Sequence, residues 1–164
     1  MRKVTEILAL HLSKMDLRCV LISHWTTEQL TDFHILEEIG FRKELQYSDT
    51  ELRCIADQIG FEGLLIYKDR EVKASLLLCQ GASEKELHLD TIIVSPSIKG
   101  LGGVLMKLLI EHSAHVGWSS IQLNTENKNE KGYPLVQFYQ HFGFEVLEIE
   151  ANGNVSMLYT NAQH

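Results

Sequence analysis

Residues 86–94, ELHLDTIIV, alternate polar and apolar side chains and then become continuously apolar, and Pro96 breaks the run. Gly100, Gly102 and Gly103 follow, and at once Val104, Leu105, Leu108, Leu109 and His112 recur at helical spacing up to Gly117. A strand with a buried end, a glycine turn and an amphipathic helix in direct succession require a sheet with a helix packed on it, so the chain reads as α/β. The turn also has chemical potential. Glycines let the backbone approach a ligand closely, and the free N–H groups and dipole of a helix start favour phosphate oxygens, with Lys99 as an added charge. By itself the cluster equally fits a tight strand-to-helix turn. Two nucleotide motifs are excluded by spacing: no Lys-Ser/Thr follows the glycines as a P-loop requires, and position 105 is leucine where Gly-x-Gly-x-x-Gly needs glycine.

The flanks supply the rest of the sheet and its cover. Val4, Ile7, Leu8 and Leu12 predict a helix, residues 18–23 a buried strand, and Thr26 or Thr27 the cap of a helix running to Ile39 and ended by Gly40, with Leu30, Phe33, Ile35 and Leu36 as its apolar positions. Ser48 and Glu51 form a capping box that opens a helix through Leu52, Ile55 and Ile59 to Gly60. Residues 63–67 and 72–79 read as a hairpin around the polar turn 68–71. Residues 120–125 predict a strand, 134–142 a helix ended by Gly143, and 144–149 with 155–159 a last hairpin turning at Asn152-Gly153. The polar connector 126–132 reads as a surface loop. With no repeat or linker and 164 residues, residues 1–164 are expected to form one domain.

Charge narrows the partners. A formal net charge of −7 provides no basic field for nucleic acid or anionic membrane, and the apolar runs fall far short of the roughly 20 residues of a membrane span. Cys19, Cys54 and Cys79 show no ligand spacing and read as reduced core thiols, which suggests a reducing cytoplasm. The basic start, Met1-Arg2-Lys3, is interrupted by Glu6 and lacks a cleavage site, so no signal peptide is expected. His112, His115 and His141 lack metal-ligand spacing and read as surface residues, so no metal is expected.

The segment 94–104 resembles the acetyl-CoA motif of the GNAT superfamily of N-acetyltransferases, R/Q-x-x-G-x-G/A. One register takes Gly100 and Gly102 as the motif glycines and puts Ser97 at the Arg/Gln position; a second takes Gly102 and Val104. Further on, Phe138-Tyr139-Gln140-His141-Phe142-Gly143-Phe144 is similar to the family's tyrosine helix ending in Gly-Phe, although Gly132 stands where an Asn commonly opens that helix. The two motifs lie in the family's order with one strand between, and together span about half the chain. The resemblance implies a mixed, mostly antiparallel sheet with helices on both faces. It also implies acetyl-CoA as acetyl donor, held by Ile92, Ile93, Val94, Lys99, Gly100, Leu101, Gly102, Gly103, Val104 and Tyr139, and direct transfer to a primary amine, with a small molecule as the expected acceptor. A homodimer through the C-terminal hairpin is a further implication. A non-catalytic acyl-CoA-binding module on the same fold is the alternative.

Acyl transfer to an amine needs a neutral nucleophile, donors for the developing oxyanion and a proton for the departing thiolate. The resemblance assigns that last proton to Tyr139, a phenol with a reference pKa of about 10. Without the family context, Tyr133, Phe138, Tyr139 and Phe142 read as an ordinary aromatic core face. For the base, strand alternation places His88, Asp90 and Ile92 on one face, and either Asp90 or His88 suits the role; Glu86 is a third choice. The family's strand end, near Ile93 or Val94, supplies the oxyanion donor through a backbone N–H.

Overall fold

A computed structural model describes residues 3–41, 43–127 and 134–161. Helix α1 (Val4–Ser13) leads into β1 (Arg18–Ile22), and α2 (Thr27–Gly40), a 3-10 turn (Lys43–Leu45) and α3 (Asp49–Ala56) follow. Then come β2 (Glu62–Lys68), β3 (Glu71–Gln80), β4 (Glu86–Val94), α4 (Leu101–Val116), β5 (Ser120–Glu126), α5 (Leu135–His141), β6 (Glu145–Ile149) and β7 (Asn154–Thr160). The seven strands form one sheet in the order β1-β2-β3-β4-β5-β7-β6, with β4 and β5 parallel and the other described pairs antiparallel. None of the described helices is long and apolar enough to cross a membrane.

Two apolar cores lie on opposite faces. Leu76 and Leu78 of β3 join α1 and α4 residues such as Leu8, Leu105 and Leu109, whereas Leu77, between them, joins Phe33, Leu36 and Leu52 of α2 and α3. A strand covered on both faces must be apolar at consecutive positions, which is why β3 reads as a run and not an alternation. The helix starts follow the capping code. Thr26 accepts the Gln29 N–H at 3.1 Å, and Ser48 and Glu51 form the expected box, at 3.1 and 3.0 Å. Trp25 ties the two helices together by donating its indole N–H to the Leu52 carbonyl at 2.8 Å.

Several expectations are corrected. Helix α3 ends at Ala56, and Ile59 is 75% exposed, because Gly60 (φ +72°) reverses the chain against Gln80 after a turn. Gly40 is the last residue of α2 and not a left-handed stop; its missing side chain matters for packing, since a Cβ there would meet Ile93 Cγ2 at 3.1 Å. Cys54 is exposed, not a core thiol, whereas Cys79 is buried. His112 is buried, not superficial: its ring stacks on His11 at 4.6 Å, and its Nε2 has no hydrogen-bond partner. Gly132, Tyr133 and most of the connector 126–132 lie outside the described residues.

One correction shapes the site. Leu78 pairs with Leu89 but Leu77 with Thr91, so Asp90 is an extra residue, a β-bulge in β4. The bulge breaks the period-two alternation. Leu89 before it and Ile92 and Val94 after it all face the α1/α4 core, while Ile93 joins the α2/α3 core. His88, opposite Cys79, lies on the other side from Ile92, so the expected shared face of His88, Asp90 and Ile92 does not form.

Two histidines should make stability depend on pH with opposite signs. Burial, reinforced by His11 and His115, holds His112 below its usual pKa. Its contribution is therefore full above about pH 6.5 and lost as the pH falls toward the folded value. His34 is the reverse. Burial opposes its charged form, but hydrogen bonds to Asp49 and Glu37 outweigh that and raise its pKa, so its contribution is full below about pH 6.5 and lost as the pH rises through the folded value. In thermal melts from pH 5 to 8, His112→Leu should lose less stability than wild type on acidification, and His34→Leu should gain less from it. Parallel curves for all three proteins would contradict both assignments.

Candidate active site

The parallel ladder between β4 and β5 runs only from Glu86↔Ser120 to Leu89↔Leu123. Beyond it β4 continues to Val94 and β5 to Glu126, so the two strands separate where the bulge at Asp90 adds local twist. Their separation opens a cavity of about 680 Å³. Ile92, Val94 and Thr125 belong to its strand walls, Gly102, Phe138 and Tyr139 close it from α4 and α5, and Phe41, Leu45 and Tyr47 close it from the segment between α2 and α3.

The glycine turn enters this cavity through Gly102. Gly100 is the N-cap of α4 at φ +78°, a left-handed conformation that favours glycine, with nothing within 4 Å of where a Cβ would stand. The first helical bond is Val104 N–H to Gly100 O at 3.1 Å, so the amides of Leu101, Gly102 and Gly103 are left over by the helix. A Cβ on Gly102 would meet only Phe138 Cζ and Val94 Cγ2, both at 3.8 Å. Lys99 is exposed, and the Leu101 side chain is buried in the core, which leaves its backbone as the part a ligand could use. A pyrophosphate-bearing group fits this cradle: unused amides, a helix N-terminus and no side chain in the way.

A second cation reaches the same loop from an unexpected strand. Lys73 of β3 donates from Nζ to Ser97 Oγ at 3.0 Å while pairing with Glu71 at 2.8 Å, and the Ser95 N–H donates to the Lys73 carbonyl at 2.7 Å. Local sequence carries no sign of this, because Lys73 and Ser97 are brought together only by β3–β4 pairing.

Tyr139 is 8% exposed, with its ring edge-on to Phe138 and Phe144 at 5.2 and 5.8 Å. Burial pushes its phenol up to about 12, which keeps the proton on at neutral pH. Asp90 lines the same cavity. Its Oδ2 accepts from Thr91 Oγ1 at 2.7 Å and from Tyr47 Oη at 3.0 Å. Burial first, and then the Asp90 charge, raise the Tyr47 pKa, so that phenol too stays a donor.

Of the residues singled out in the sequence, the cavity brings together Asp90, Ile92, Ile93, Val94, Gly102 and Tyr139. His88 is not among its lining residues: its Nδ1–H donates to Gln122 Oε1 on β5, and its Nε2 stands 4.0 Å from Asp90 Oδ1. Gly103 packs elsewhere, where a Cβ would meet Phe142 at 3.7 Å. Among the described residues, no group of three or more His, Cys, Asp or Glu side chains could hold a metal ion.

Comparison with known proteins agrees with this fold. The family model described as Acetyltransferase (GNAT) family matches residues 24–144. No curated protein sequence matches the chain. Among solved structures, the fold is similar to the ribosomal-protein-S18-alanine N-acetyltransferase of Escherichia coli, with 16% identity, a TM-score of 0.67 and coverage of 89% of this chain and 96% of that one. It is also similar to the PaiA N-acetyltransferase of Thermoplasma acidophilum, solved with coenzyme A, at 16% identity, TM-score 0.66 and coverage of 88% and 99%. The Naa50 protein of Arabidopsis thaliana, in complex with the bisubstrate analogue CoA-Ac-MVNAL, aligns at 18% identity, TM-score 0.63 and coverage of 87% and 99%.

Proposed function

The chain belongs to the GNAT acetyltransferase family, and on that footing we propose that it transfers an acetyl group from acetyl-CoA to a primary amine by direct attack, with a small-molecule amine as acceptor. One observation carries the reading. A single cavity joins the start of α4 and the protonated phenol of Tyr139 to the carboxylate of Asp90, so donor and acceptor can meet in the gap between β4 and β5.

Acetyl-CoA supplies the activated thioester. The amides of Leu101, Gly102 and Gly103 face its phosphates, with Gly100 making the turn and Lys99 and Lys73 as nearby cations. Val104 closes the first helical bond and contributes only its side chain. Past Leu89, the β5-facing edge of β4 offers Ile92, Ile93 and Val94 to the pantetheine amides as a missing strand would. Asp90 attracts the ammonium form of the acceptor and takes its proton, directly or through water, so that the freed nitrogen can form the C–N bond. A backbone N–H near Ile93 or Val94 faces the oxygen that gains charge, and Tyr139 gives its proton to the sulfur as the C–S bond breaks, then regains one through water from the second proton that the acylated nitrogen sheds as it becomes an amide. His88 is a poorer base than Asp90 here, since Gln122 engages its ring and it does not line the cavity.

Calorimetric titration tests the donor half: acetyl-CoA and CoA should bind in the micromolar range and ATP should not. Binding followed by turnover of spermidine, tryptamine or a peptide with a free amino terminus would support the enzyme. Binding without turnover of any amine would favour the non-catalytic acyl-CoA-binding module, and absent binding would sink both readings.

A further inference from the structure

We propose that Tyr47 is a positioning residue that locks the Asp90 carboxylate and presents its Oδ1 to the amine. The proposal rests on the reading of Asp90 as the proton acceptor. Tyr47 belongs to no motif. It stands in the three-residue link, 46–48, between the 3-10 turn and α3, 43 residues from Asp90, and reaches the cavity from the α2/α3 side of the sheet.

Three observations converge on it. Asp90 sits on a β-bulge, which aims its side chain but leaves it outside the regular packing that would otherwise hold a strand residue's rotamer. Among the described residues, both side-chain donors to it, Tyr47 at 3.0 Å and Thr91 at 2.7 Å, converge on the same oxygen, Oδ2. His88 Nε2, at 4.0 Å, is too far to claim Oδ1, which is left as the oxygen for an acceptor nitrogen. Thr91 is Asp90's neighbour in sequence and moves with it, so Tyr47 is the donor that fixes the carboxylate to a separate part of the fold.

Tyr47 is itself held from behind. Its backbone N–H donates to Glu37 Oε2 at 2.7 Å, and the other oxygen of Glu37, a fully buried residue of α2, meets His34 Nδ1 at 2.7 Å. His34 Nε2 in turn meets Asp49 Oδ1 in the first turn of α3 at 2.6 Å. Gln46 adds donations to the Glu37 and Phe41 carbonyls at 3.4 and 2.9 Å. A loop that served only as a connector would not need a buried carboxylate to order the amide of one tyrosine, because burying that charge is costly unless it is paired. The arrangement spends that cost at a loop residue whose hydroxyl reaches Asp90.

Tyr47→Phe removes the hydroxyl and keeps the ring. In the full-length protein at fixed pH, with CoA added, the carboxyl ¹³C resonance of Asp90, assigned by its loss in Asp90→Asn, should shift or broaden in Tyr47→Phe. Other aspartate signals and the melting temperature should stay in place. With an amine of the panel that is turned over, kcat/KM should fall about tenfold, as for loss of a hydrogen bond to a charged group, with acetyl-CoA affinity unchanged. In an Asp90→Asn background the same substitution should have almost no further effect; a merely structural role would lower both backgrounds alike. An Asp90 resonance unmoved by Tyr47→Phe overturns the inference, as does wild-type kcat/KM in Tyr47→Phe when Asp90→Asn is impaired. Full activity in Asp90→Asn would instead remove the assignment of Asp90 as acceptor of the proton, which is a separate failure.

Discussion

Tyr139→Phe is expected to lower kcat by about 10²- to 10³-fold while leaving acetyl-CoA affinity within a factor of two, the range for removal of a general acid. The phenyl ring keeps the edge-on contacts with Phe138 and Phe144, so the packing of α5 against the sheet survives. The lost group is a hydroxyl whose proton burial retains up to about pH 12. A thiolate leaving without that proton must be expelled as an anion into an apolar wall, where charge is costly. Because the interaction develops only as the C–S bond breaks, the loss should appear in kcat and in kcat/KM equally. Steady-state kinetics with acetyl-CoA and a turned-over amine measures this, and calorimetry with CoA measures the affinity. Unchanged kcat would remove Tyr139 from the chemistry and return it to the aromatic core.

Gly102→Val is expected to weaken acetyl-CoA binding by roughly 10- to 100-fold, about 1.4 to 2.8 kcal/mol, without unfolding the protein. The argument rests on room. In the free protein a Cβ at this position meets neighbours at 3.8 Å, an ordinary contact, and Gly102 lies within a helix, where valine is tolerated. What a branched side chain fills is cavity space between Phe138 and Val94, beside the leftover amides at the start of α4. Gly100→Val would be a poor substitute as a test, because at φ +78° it would strain the backbone and blur the cause. Calorimetric titration of Gly102→Val, with a thermal melt as control, should show the affinity loss alongside a nearly unchanged melting temperature. Equal affinity would put the phosphates elsewhere and favour a different register of the glycine motif.

Local signals carried a good part of the molecule. The capping box at Ser48 and Glu51, the glycine turn before α4, the tyrosine helix and the hairpin reversal at Gly153 are all short-range patterns whose causes lie within a few residues, and each is present in the structure. The candidate site was legible to the same depth. Asp90, Val94, Gly102 and Tyr139 sit in motifs or on a recognisable strand, and they line one cavity.

The remainder depends on which segments meet. Period-two alternation placed His88, Asp90 and Ile92 together, but the pairing of Leu77 with Thr91 and Leu78 with Leu89 inserts a bulge, and a bulge is a property of two strands in register. Tyr47 reaches Asp90, Lys73 reaches Ser97 and His11 covers His112 across separations of tens of residues, so no window of sequence contains both partners. Hydrophobic periodicity, capping and glycine turns are enforced by the chain's own short-range sterics and hydrogen bonds, and they are written residue by residue. The opening between β4 and β5 and the grip on Asp90 arise from long-range contacts, whose free energy appears only when the sheet has assembled.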